Sequence, residues 1–135
     1  MVISMNDLAK VKFISLNKGK GLFAKKDIRK GKIIDVAHVI LISNKDYKQI
    51  NKTLISNYCF EWKNPKYKSE NKIALAMTIC QFMNHSYSPN VIYEYNYKND
   101  TIKFKTIKNI SAGEELVMNY NARPSDKSLV WFDVE

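Results

Sequence analysis

Short stretches of alternating hydrophobic and polar residues open this chain, a pattern typical of β-strands with one side facing a core. Residues 10–16 alternate in this way, and residues 22–24 form a second short apolar stretch. Gly19 and Gly21 between them permit a tight reversal, so the two stretches are predicted to form a hairpin. A run of β-branched residues at 33–42 then predicts a long, mostly buried strand.

The chain after residue 42 contains three further strand patterns and one polar, ambiguous segment. Residues 58–62 are mainly aromatic and predict a strand, while residues 45–56 are interpreted as one short helix. Residues 91–97 and 101–106 flank a Lys-Asn-Asp turn and are predicted to form a hairpin. Many short strands therefore predict a mostly β fold.

Residues 73–81 show a different spacing from the strand segments. Their apolar positions recur at helical intervals, and Asn71 is a plausible N-cap. A short buried helix is predicted here, with Cys80 within it, leading the chain to Asn84.

One pattern occurs twice in the sequence. Residues 26–34 and 108–116 each place an isoleucine before a glycine turn and then enter a strand. Two copies do not make a stacked repeat array, which needs three or more units. The pattern predicts two similar β corners.

Size and composition indicate one compact domain over residues 1–135, since 135 residues with 45% hydrophobic content suffice for a single core. The N-terminus lacks the basic and apolar segments of a secretory signal. The longest apolar run, residues 36–42, is too short to cross a bilayer. The expectation is a soluble intracellular protein without membrane contact, in cytoplasm or nucleus.

Cysteine chemistry is limited, because the chain has only two cysteines. Cys59 and Cys80 fall in a predicted strand and a predicted helix, so neither a disulfide framework nor a Cys-rich zinc site is expected. Both are interpreted as small buried hydrophobic residues. His38 is interpreted as a packed or edge residue, and no metal site is predicted.

The chain is strongly basic, with a net charge of +9 from 22 basic residues. Only Arg29 and Arg123 are arginines, and a lysine-dominated surface favours diffuse attraction to polyanions over base recognition. An AT-rich genome accounts equally well for the abundance of lysine, asparagine, isoleucine and tyrosine. Charge alone does not decide between these readings.

Three motifs carry the strongest functional signal. They are GKGLFA at 19–24, NHSYSPN at 84–90 and GEELVMNY at 113–120. In this order they resemble the signature of SET-domain protein-lysine methyltransferases, in particular the minimal members, which include small viral histone methyltransferases and small bacterial-type proteins. With two cysteines in residues 1–135, the Cys-rich zinc-binding segments that flank many SET domains are not expected here. The resemblance implies small curved antiparallel sheets, few short helices and a C-terminal pseudoknot.

The resemblance also implies a cofactor, S-adenosylmethionine, and a product, S-adenosylhomocysteine. Asn84 matches the position that holds the cofactor through its side chain, and His85 the position that contacts the adenine mainly through its backbone. Gly21 would let the backbone approach the cofactor closely. Lys20 and Leu22 would present main-chain groups, with Lys20 also suited to pair with the cofactor carboxylate.

A lysine channel is implied by the same resemblance. Tyr120 matches the catalytic tyrosine, which orients the amine. Tyr58 and Tyr93 are candidates for the channel wall, and Trp131 matches a C-terminal aromatic that covers the cofactor. Met118 occupies the position, two residues before the tyrosine, that influences how many methyl groups are added, so the methylation state stays open.

The chemistry explains why tyrosines suit such a channel. A neutral amine attacks a methyl group on a sulfonium in line, so alignment supplies most of the catalysis. The substrate lysine, with a solution pKa of about 10.4, must lose its proton, and an apolar passage favours the neutral amine. Tyrosine rings provide apolar walls that attract a cation, and their hydroxyls orient the amine.

Two alternative functions remain open. The chain could be a catalytically inactive SET-like binding module, or a basic nucleic-acid-binding protein. In the second case Tyr93, Tyr95 and Tyr97 would stack on bases. Strand alternation equally places these three tyrosines on one core face.

The expected partner is a protein with an accessible lysine, either a histone or a non-histone protein. A cationic histone tail would be repelled by the net charge unless DNA, a second subunit or a local acidic groove compensates. Candidates for that groove are Glu61, Glu94 and the pair Glu114 and Glu115. A homodimer and non-specific polyanion contact are left open.

Overall fold

The computed structural model describes residues 6–66, 72–121 and 123–130. Within these ranges the chain forms nine strands, one α-helix, α1 (Asn44–Ile50), and short 3₁₀ turns that include Leu54–Tyr58 and Ile79–Phe82. The strands in chain order are β1 (Ala9–Ser15), β2 (Gly19–Ala24), β3 (Ile33–Ile42), β4 (Cys59–Trp62), β5 (Lys72–Ala76), β6 (Asn84–His85), β7 (Val91–Asn96), β8 (Thr101–Thr106) and β9 (Glu115–Met118).

The first sheet brings together the three sequence motifs. Its strand order is β1-β2-β9-β6, with antiparallel pairing except between β6 and β9, which run parallel. In that parallel pair Asn84 lies opposite Val117 and His85 opposite Met118. The predicted N-terminal hairpin is confirmed, and β9 lies between β2 and β6. The C-terminal pseudoknot stays a prediction.

The second sheet has the order β4-β5-β3-β8-β7, and every pairing in it is antiparallel. Strand β3 occupies its centre, as expected for a long run of β-branched residues, and its bounds match the prediction. The predicted hairpin of β7 and β8 is also confirmed, with residues 97–100 forming the turn. Strand β4 lies at one edge. The mostly β fold class is therefore confirmed.

The predicted helix over residues 73–81 is wrong for its first half. Strand β5 lies between β3 and β4, where Ala74 pairs with Leu41 on one side and Phe60 on the other. Backbone hydrogen bonds to two neighbours outweigh the weak helical preference of alanine, leucine and methionine. Only Ile79–Phe82 is helical, as a 3₁₀ turn capped by the Thr78 hydroxyl, and Asn71 lies outside the described residues.

The predicted single helix over residues 45–56 is instead two elements. Helix α1 begins after Ser43, whose hydroxyl accepts a hydrogen bond from the Asp46 N–H at 3.1 Å. The chain then turns and forms the 3₁₀ turn Leu54–Tyr58, which leads directly into β4. This second element places Tyr58 at the start of the edge strand.

An aromatic cluster fills the space between β4 and β7. The Trp62 ring contacts Tyr95 and Tyr97 at centroid distances of 5.5 and 4.8 Å, and Phe60 contacts Tyr93 at 5.0 Å, all edge to face. The three tyrosines of this hairpin therefore pack on the core, as the alternation predicted. Their rings are engaged with neighbouring rings, which disfavours base stacking by this strand.

The two cysteines lie in different environments. Cys80 is fully buried, and this burial raises the pKa of its thiol to about 12, so the thiol stays protonated. Cys59 is half-buried at the start of β4. Among the described residues no three His, Cys, Asp or Glu side chains are arranged to hold a metal ion. In the same ranges, the helices lack the length and apolar character needed to span a bilayer.

The two predicted β corners are present and bind each other. Ile28 and Ile110 form an isolated antiparallel bridge through two N–H to C=O hydrogen bonds of 2.8 Å, and both side chains are buried. Gly31 and Gly113 both adopt a φ of +86°, a left-handed conformation that favours glycine. The pattern that occurs twice in the sequence thus corresponds to two matching turns that are hydrogen-bonded to each other.

Side-chain contacts repeat the same symmetry. The Asp27 carboxylate accepts a hydrogen bond from the Ala112 N–H at 2.9 Å, and the Asn109 amide oxygen accepts one from the Lys30 N–H at 2.8 Å. Asp27 of the first corner corresponds to Asn109 of the second, and Lys30 corresponds to Ala112. The separation in sequence is the same as that between Ile28 and Ile110. Each corner therefore caps the turn of the other.

Candidate functional site

A cavity of about 1070 Å³ lies where β6, β9 and the edge strand β4 come together. Its walls come from residues 17–20, 54, 57–61, 81–85, 93, 95, 118, 120, 121 and 126. The cavity brings together seven of the predicted site residues: Lys20, Tyr58, Asn84, His85, Tyr93, Met118 and Tyr120. Gly21 and Leu22 lie in β2 next to this wall without lining it, and Trp131 lies outside the described residues.

Tyr120 is held at both its backbone and its hydroxyl. The hydroxyl donates a hydrogen bond of 2.7 Å to the Met83 carbonyl, and the backbone N–H donates to His85 Nδ1 at 3.0 Å. Burial, and to a lesser extent Tyr58 and Glu115, raise the pKa of Tyr120 to about 12. The phenol is therefore neutral at physiological pH and cannot act as an anionic base there.

His85 has a structural contact that the sequence did not reveal. Its buried ring accepts the Tyr120 N–H through Nδ1 and packs edge to face against Tyr87 and Tyr120, at centroid distances of 4.4 and 5.3 Å. Burial lowers the pKa of His85, which favours the neutral imidazole that this acceptor role requires. Because the partner is 35 residues away, local sequence pattern contains no signal for this bond.

The Asn84 side chain joins the three motifs. Its Nδ2 donates to the Lys20 carbonyl at 3.2 Å and to Glu115 Oε2 at 2.9 Å. Since both amide protons are engaged, the carbonyl oxygen is the group that can accept from a ligand. The chemistry that remains at Asn84 suits an ammonium or another N–H donor.

Gly21 is required at its position by close packing. A Cβ at this residue would lie 2.6 Å from Ile14 Cδ1, 2.9 Å from Glu115 Oε2 and 3.1 Å from Asn84 Nδ2. A side chain would therefore displace the amide of Asn84. Because residue 21 has no side chain, the Asn84 amide can reach the backbone of β2. Close packing therefore explains the glycine at this position more specifically than a turn would.

The side chains of Lys20 and Leu22, both in β2, have different surroundings. The Lys20 ammonium lies 5.8 Å from the centroid of the Phe82 ring and lines the cavity. Leu22 is fully buried and pairs with Leu116 of β9. The side chain of Leu22 thus belongs to the core, so only its main chain is available for the predicted contact.

The three candidate channel residues surround Tyr120 in the cavity wall. Tyr93 is buried, and its hydroxyl donates a long hydrogen bond of 3.4 Å to the Tyr120 carbonyl. Met118 is buried at the end of β9, two residues before Tyr120, whereas Tyr58 is 39% exposed. The Gln81 Nε2 donates to the Tyr58 carbonyl at 2.9 Å.

Several residues of the wall were not identified from the sequence. Gln81, Phe60 and Asp126 line the cavity but belong to no motif.

Asn90, the last residue of the second motif, has a structural role behind the wall. It is buried and binds β9 through its side-chain amide, which donates to the Glu115 carbonyl and accepts from the Val117 N–H, each at 2.9 Å.

The candidates for an acidic groove lie in different places, and the groove stays a prediction. Glu61 lines the cavity and forms an exposed ion pair with Lys63. Glu94 does not line the cavity, and it pairs with Lys103 and Lys105 on β8, which lower the pKa of its carboxyl.

Glu114 and Glu115, the other two candidates, are hydrogen-bonded to asparagine side chains. Glu115 binds Asn84, and Glu114 accepts a 3.3 Å hydrogen bond from the Asn90 amide. The pair therefore stabilises β9, and neither carboxylate lines the cavity.

Residues 123–130 lie beside the cavity and are held by side chains of the signature motifs. The Asn119 amide donates to the Asp126 carbonyl at 2.6 Å. The Ser128 carbonyl accepts from the Tyr87 hydroxyl at 3.0 Å and from the Asn121 amide at 2.7 Å. These bonds hold Asp126 and Ser128 beside the motif residues Asn119 and Tyr87.

Comparison with known proteins agrees with this geometry. The SET-domain family model matches residues 19–121. A histone-lysine N-methyltransferase of Schizosaccharomyces pombe, specific for H3 lysine-37, is 29% identical over 119 residues, which cover 87% of this chain and 73% of that protein. The relative therefore matches nearly the whole chain.

Solved structures show the same fold. A candidate histone methyltransferase of Plasmodium falciparum superposes with a TM-score of 0.67 at 24% identity, covering 86% of this chain and 95% of that one. A polycomb repressive complex 2 structure (ctPRC2), autoinhibited and bound to S-adenosylmethionine, gives 0.66 at 26% identity over 86% of this chain and 15% of that one. With three motifs on one cavity and the family model spanning them, the chain belongs to the SET-domain family of protein-lysine methyltransferases.

Proposed function

We propose that this protein-lysine methyltransferase binds S-adenosylmethionine against Lys20, Asn84 and His85 and methylates a histone lysine that enters past Tyr58. The observation that carries the proposal is the convergence of Asn84 and Tyr120, from two separate motifs, on a single cavity that Tyr58 and Tyr93 also line. A cofactor position and an aromatic passage thus share one space.

The residues present fit the proposed cofactor. Its ammonium requires an acceptor, and the Asn84 carbonyl oxygen is available because the amide protons bind Lys20 and Glu115. Its carboxylate requires a cation, and the Lys20 ammonium lines the same cavity. A cavity of about 1070 Å³ also has room for a ligand of this size beside a lysine side chain.

Tyr120 acts in this proposal as the residue that orients the substrate amine. Its hydroxyl proton is donated to the Met83 carbonyl, so the oxygen lone pairs are directed to accept an amine N–H. The raised pKa keeps the phenol neutral, which means that the proton of the substrate ammonium must leave to solvent before transfer. The bound cofactor would supply the electrophilic methyl group.

The passage itself favours a neutral amine. Tyr93, Met118 and Phe60 are buried in its wall, and an apolar environment lowers the pKa of a lysine that enters it. Tyr58 stands at the more exposed end, where its ring can contact the lysine stem.

A histone is the substrate proposed here, because the Schizosaccharomyces pombe relative acts on H3 lysine-37. The carboxylates of Glu61 and Asp126 lie in the cavity wall of an otherwise basic protein, and they can offset repulsion of a cationic peptide. Of the two, Glu61 is better placed to contact a basic residue of the peptide next to the target lysine, because Glu61 lies on the edge strand β4.

The test is transfer of a labelled methyl group to purified histones and to fractionated cell protein, with Tyr120→Phe as the matched variant. We expect label in a histone with the wild type and at least a 100-fold lower rate with the variant. Isothermal titration with S-adenosylmethionine should give similar affinities for both proteins. Full activity of the variant would remove Tyr120 from the mechanism, and absence of cofactor binding by the wild type would favour an inactive binding module.

A further inference from the structure

We propose that the two β corners, residues 25–32 and 106–114, form a binding surface for the phosphate backbone of duplex DNA. This surface is named the corner ridge below. Binding of DNA by the ridge does not depend on the proposed function. Only its use, holding the enzyme on DNA-wrapped histones, rests on that function.

The corner ridge concentrates the positive charge of the chain. It has two carboxylates, Asp27 and Glu114, against six cations: Lys25, Lys26, Arg29, Lys30, Lys32 and Lys108. Its net charge is therefore +4, out of +9 for the whole chain. Such a concentration on one surface is the electrostatic footprint of a polyanion site.

Packing of the corners makes these charges one surface. The Lys30 N–H binds the Asn109 side chain at 2.8 Å, which brings the two segments side by side. Ile28 and Ile110 are buried beneath them, while all six basic side chains are exposed. The cations thus project from a common, hydrogen-bonded base.

The two carboxylates of the ridge are already engaged by amide groups. Asp27 accepts the Ala112 N–H, and Glu114 accepts from the Asn90 amide and the Ser111 N–H. The ion pairs seen in the described parts of the chain involve other lysines, those at 63, 103 and 105. Within those parts, then, no ridge cation is neutralised by an ion pair.

The chemistry of the ridge favours duplex DNA over other polyanions. Neither segment contains an aromatic residue, so bases of a single strand would find no stacking surface. The isoleucines at 28 and 110 are buried and Ile107 is half-buried, so the ridge lacks an exposed large apolar side chain that could insert into a lipid surface. Five of the six cations are lysines, which suit phosphate contact without base recognition.

The position of the ridge leaves the cavity accessible. Lys20 lines the cavity at one end of β2, and Lys25 follows the other end of that strand. At about 3.3 Å per residue, the two are about 17 Å apart. DNA on the ridge and a peptide in the cavity can therefore be bound at the same time.

The test compares two variants of equal charge. One is the triple substitution Arg29→Gln, Lys30→Gln and Lys108→Gln in the ridge. The matched control, Lys45→Gln, Lys48→Gln and Lys52→Gln, removes three exposed cations in and after α1. Binding to a short labelled DNA duplex is measured by fluorescence anisotropy over a range of salt concentrations, with single-stranded RNA and anionic vesicles as competitors.

We expect the ridge variant to lose at least tenfold in DNA affinity and its log Kd against log salt slope to fall by about two to three. The control variant should stay within about threefold of wild type, and duplex DNA should resist both competitors. Equal losses in the two variants would show diffuse attraction and overturn the proposal. Preference for RNA or vesicles would overturn it as well.

Methyl transfer to a free histone peptide separates this inference from the proposed function. Both variants should retain the peptide activity of wild type, because neither set of residues lines the cavity. Methylation of nucleosomes should fall at least tenfold for the ridge variant alone. Lack of peptide activity in wild type and both variants would refute the proposed function. The DNA-binding measurements would still show whether the ridge binds DNA.

Discussion

The Tyr120 hydroxyl donates its proton to the Met83 carbonyl across 2.7 Å, one residue before Asn84 begins the parallel pair with β9. The same peptide segment therefore fixes the direction of the phenol and presents the Asn84 amide, which we propose binds the cofactor. A shift of this segment would move both groups together. In the proposed mechanism, alignment of the methyl donor and the substrate amine would therefore depend on this one short piece of backbone.

The pH dependence of methyl transfer should reflect the substrate amine and not Tyr120. Because the pKa of Tyr120 is raised to about 12, the phenol stays neutral through the usable range. We expect single-turnover rates to rise with pH as more substrate amine is neutral, without a fall up to about pH 10, where an unshifted tyrosine would be half ionised. A descending limb centred near that pH would contradict the assignment.

Substitution of Gly21 by alanine should weaken cofactor binding more than stability. The new Cβ would contact the movable ends of Ile14, Glu115 and Asn84, so the fold can adjust at a cost of about 1 kcal/mol. The Asn84 amide would be displaced, and we expect at least a tenfold rise in the Kd for S-adenosylmethionine, measured by titration calorimetry.

Gly31→Ala is the matched control for that change. Gly31 adopts a φ of +86° with open space around it, and it does not line the cavity. Its replacement should destabilise the protein by about 1 kcal/mol through backbone strain alone. Unchanged cofactor affinity in Gly31→Ala and Gly21→Ala alike would show that Gly21 has only a structural role.

Mild acid should destabilise the protein through His85. Burial lowers the pKa of His85, so the folded state resists protonation, while the unfolded imidazole takes up a proton near pH 6.5. The contribution of neutral His85 is therefore complete above about pH 6.5 and is lost as pH falls below it. We expect a lower Tm at about pH 5.5 than at about pH 7.5.

His85→Asn isolates this effect from other titrating groups. The asparagine carbonyl can accept the Tyr120 N–H without taking up a proton. The variant should have a lower Tm at neutral pH but a smaller loss on acidification. An identical loss in wild type and variant would assign the pH dependence to other residues.

Gln81 should position Tyr58 for the peptide substrate. Its amide donates to the carbonyls of Tyr58 and Ala76, at 2.9 and 3.1 Å. In Gln81→Glu both donors are lost, and a carboxylate would face two carbonyl oxygens. We expect the KM for a histone peptide to rise about tenfold with cofactor affinity unchanged. Rescue by Gln81→Asn is not expected, because the shorter side chain cannot span both carbonyls.

Most of the first sheet and the central strand could be predicted, since their signals are local. The β-branched run of β3 and the glycine turn before β2 specify their own conformations. Strand β5 could not, because Ala74 and its neighbours fit a helix equally well and are ordered by pairing with β3 and β4. Tertiary hydrogen bonds, invisible in a sequence window, decided that segment.

The site shows the same division. Asn84, Tyr120 and Lys20 could be found because they belong to motifs, and they do line one cavity. The contacts that hold them were not accessible from the sequence. His85 reaches Tyr120 across 35 residues, and Gln81 reaches back 23 residues to Tyr58. Such bonds depend on the folded path of the chain, on which spacing gives no information.

The bridge between Ile28 and Ile110 closes the intervening chain into a loop, whose two ends are joined by a matching pair of hydrogen bonds. Lengthening a closed loop costs little, about 0.6 kcal/mol for each doubling. Additional residues at the exposed positions 98–100 of the turn would therefore leave the spacing of Met83 and Tyr120 unchanged. The paired corners thus allow insertions in the turn between β7 and β8 while the residues of the proposed site keep their positions.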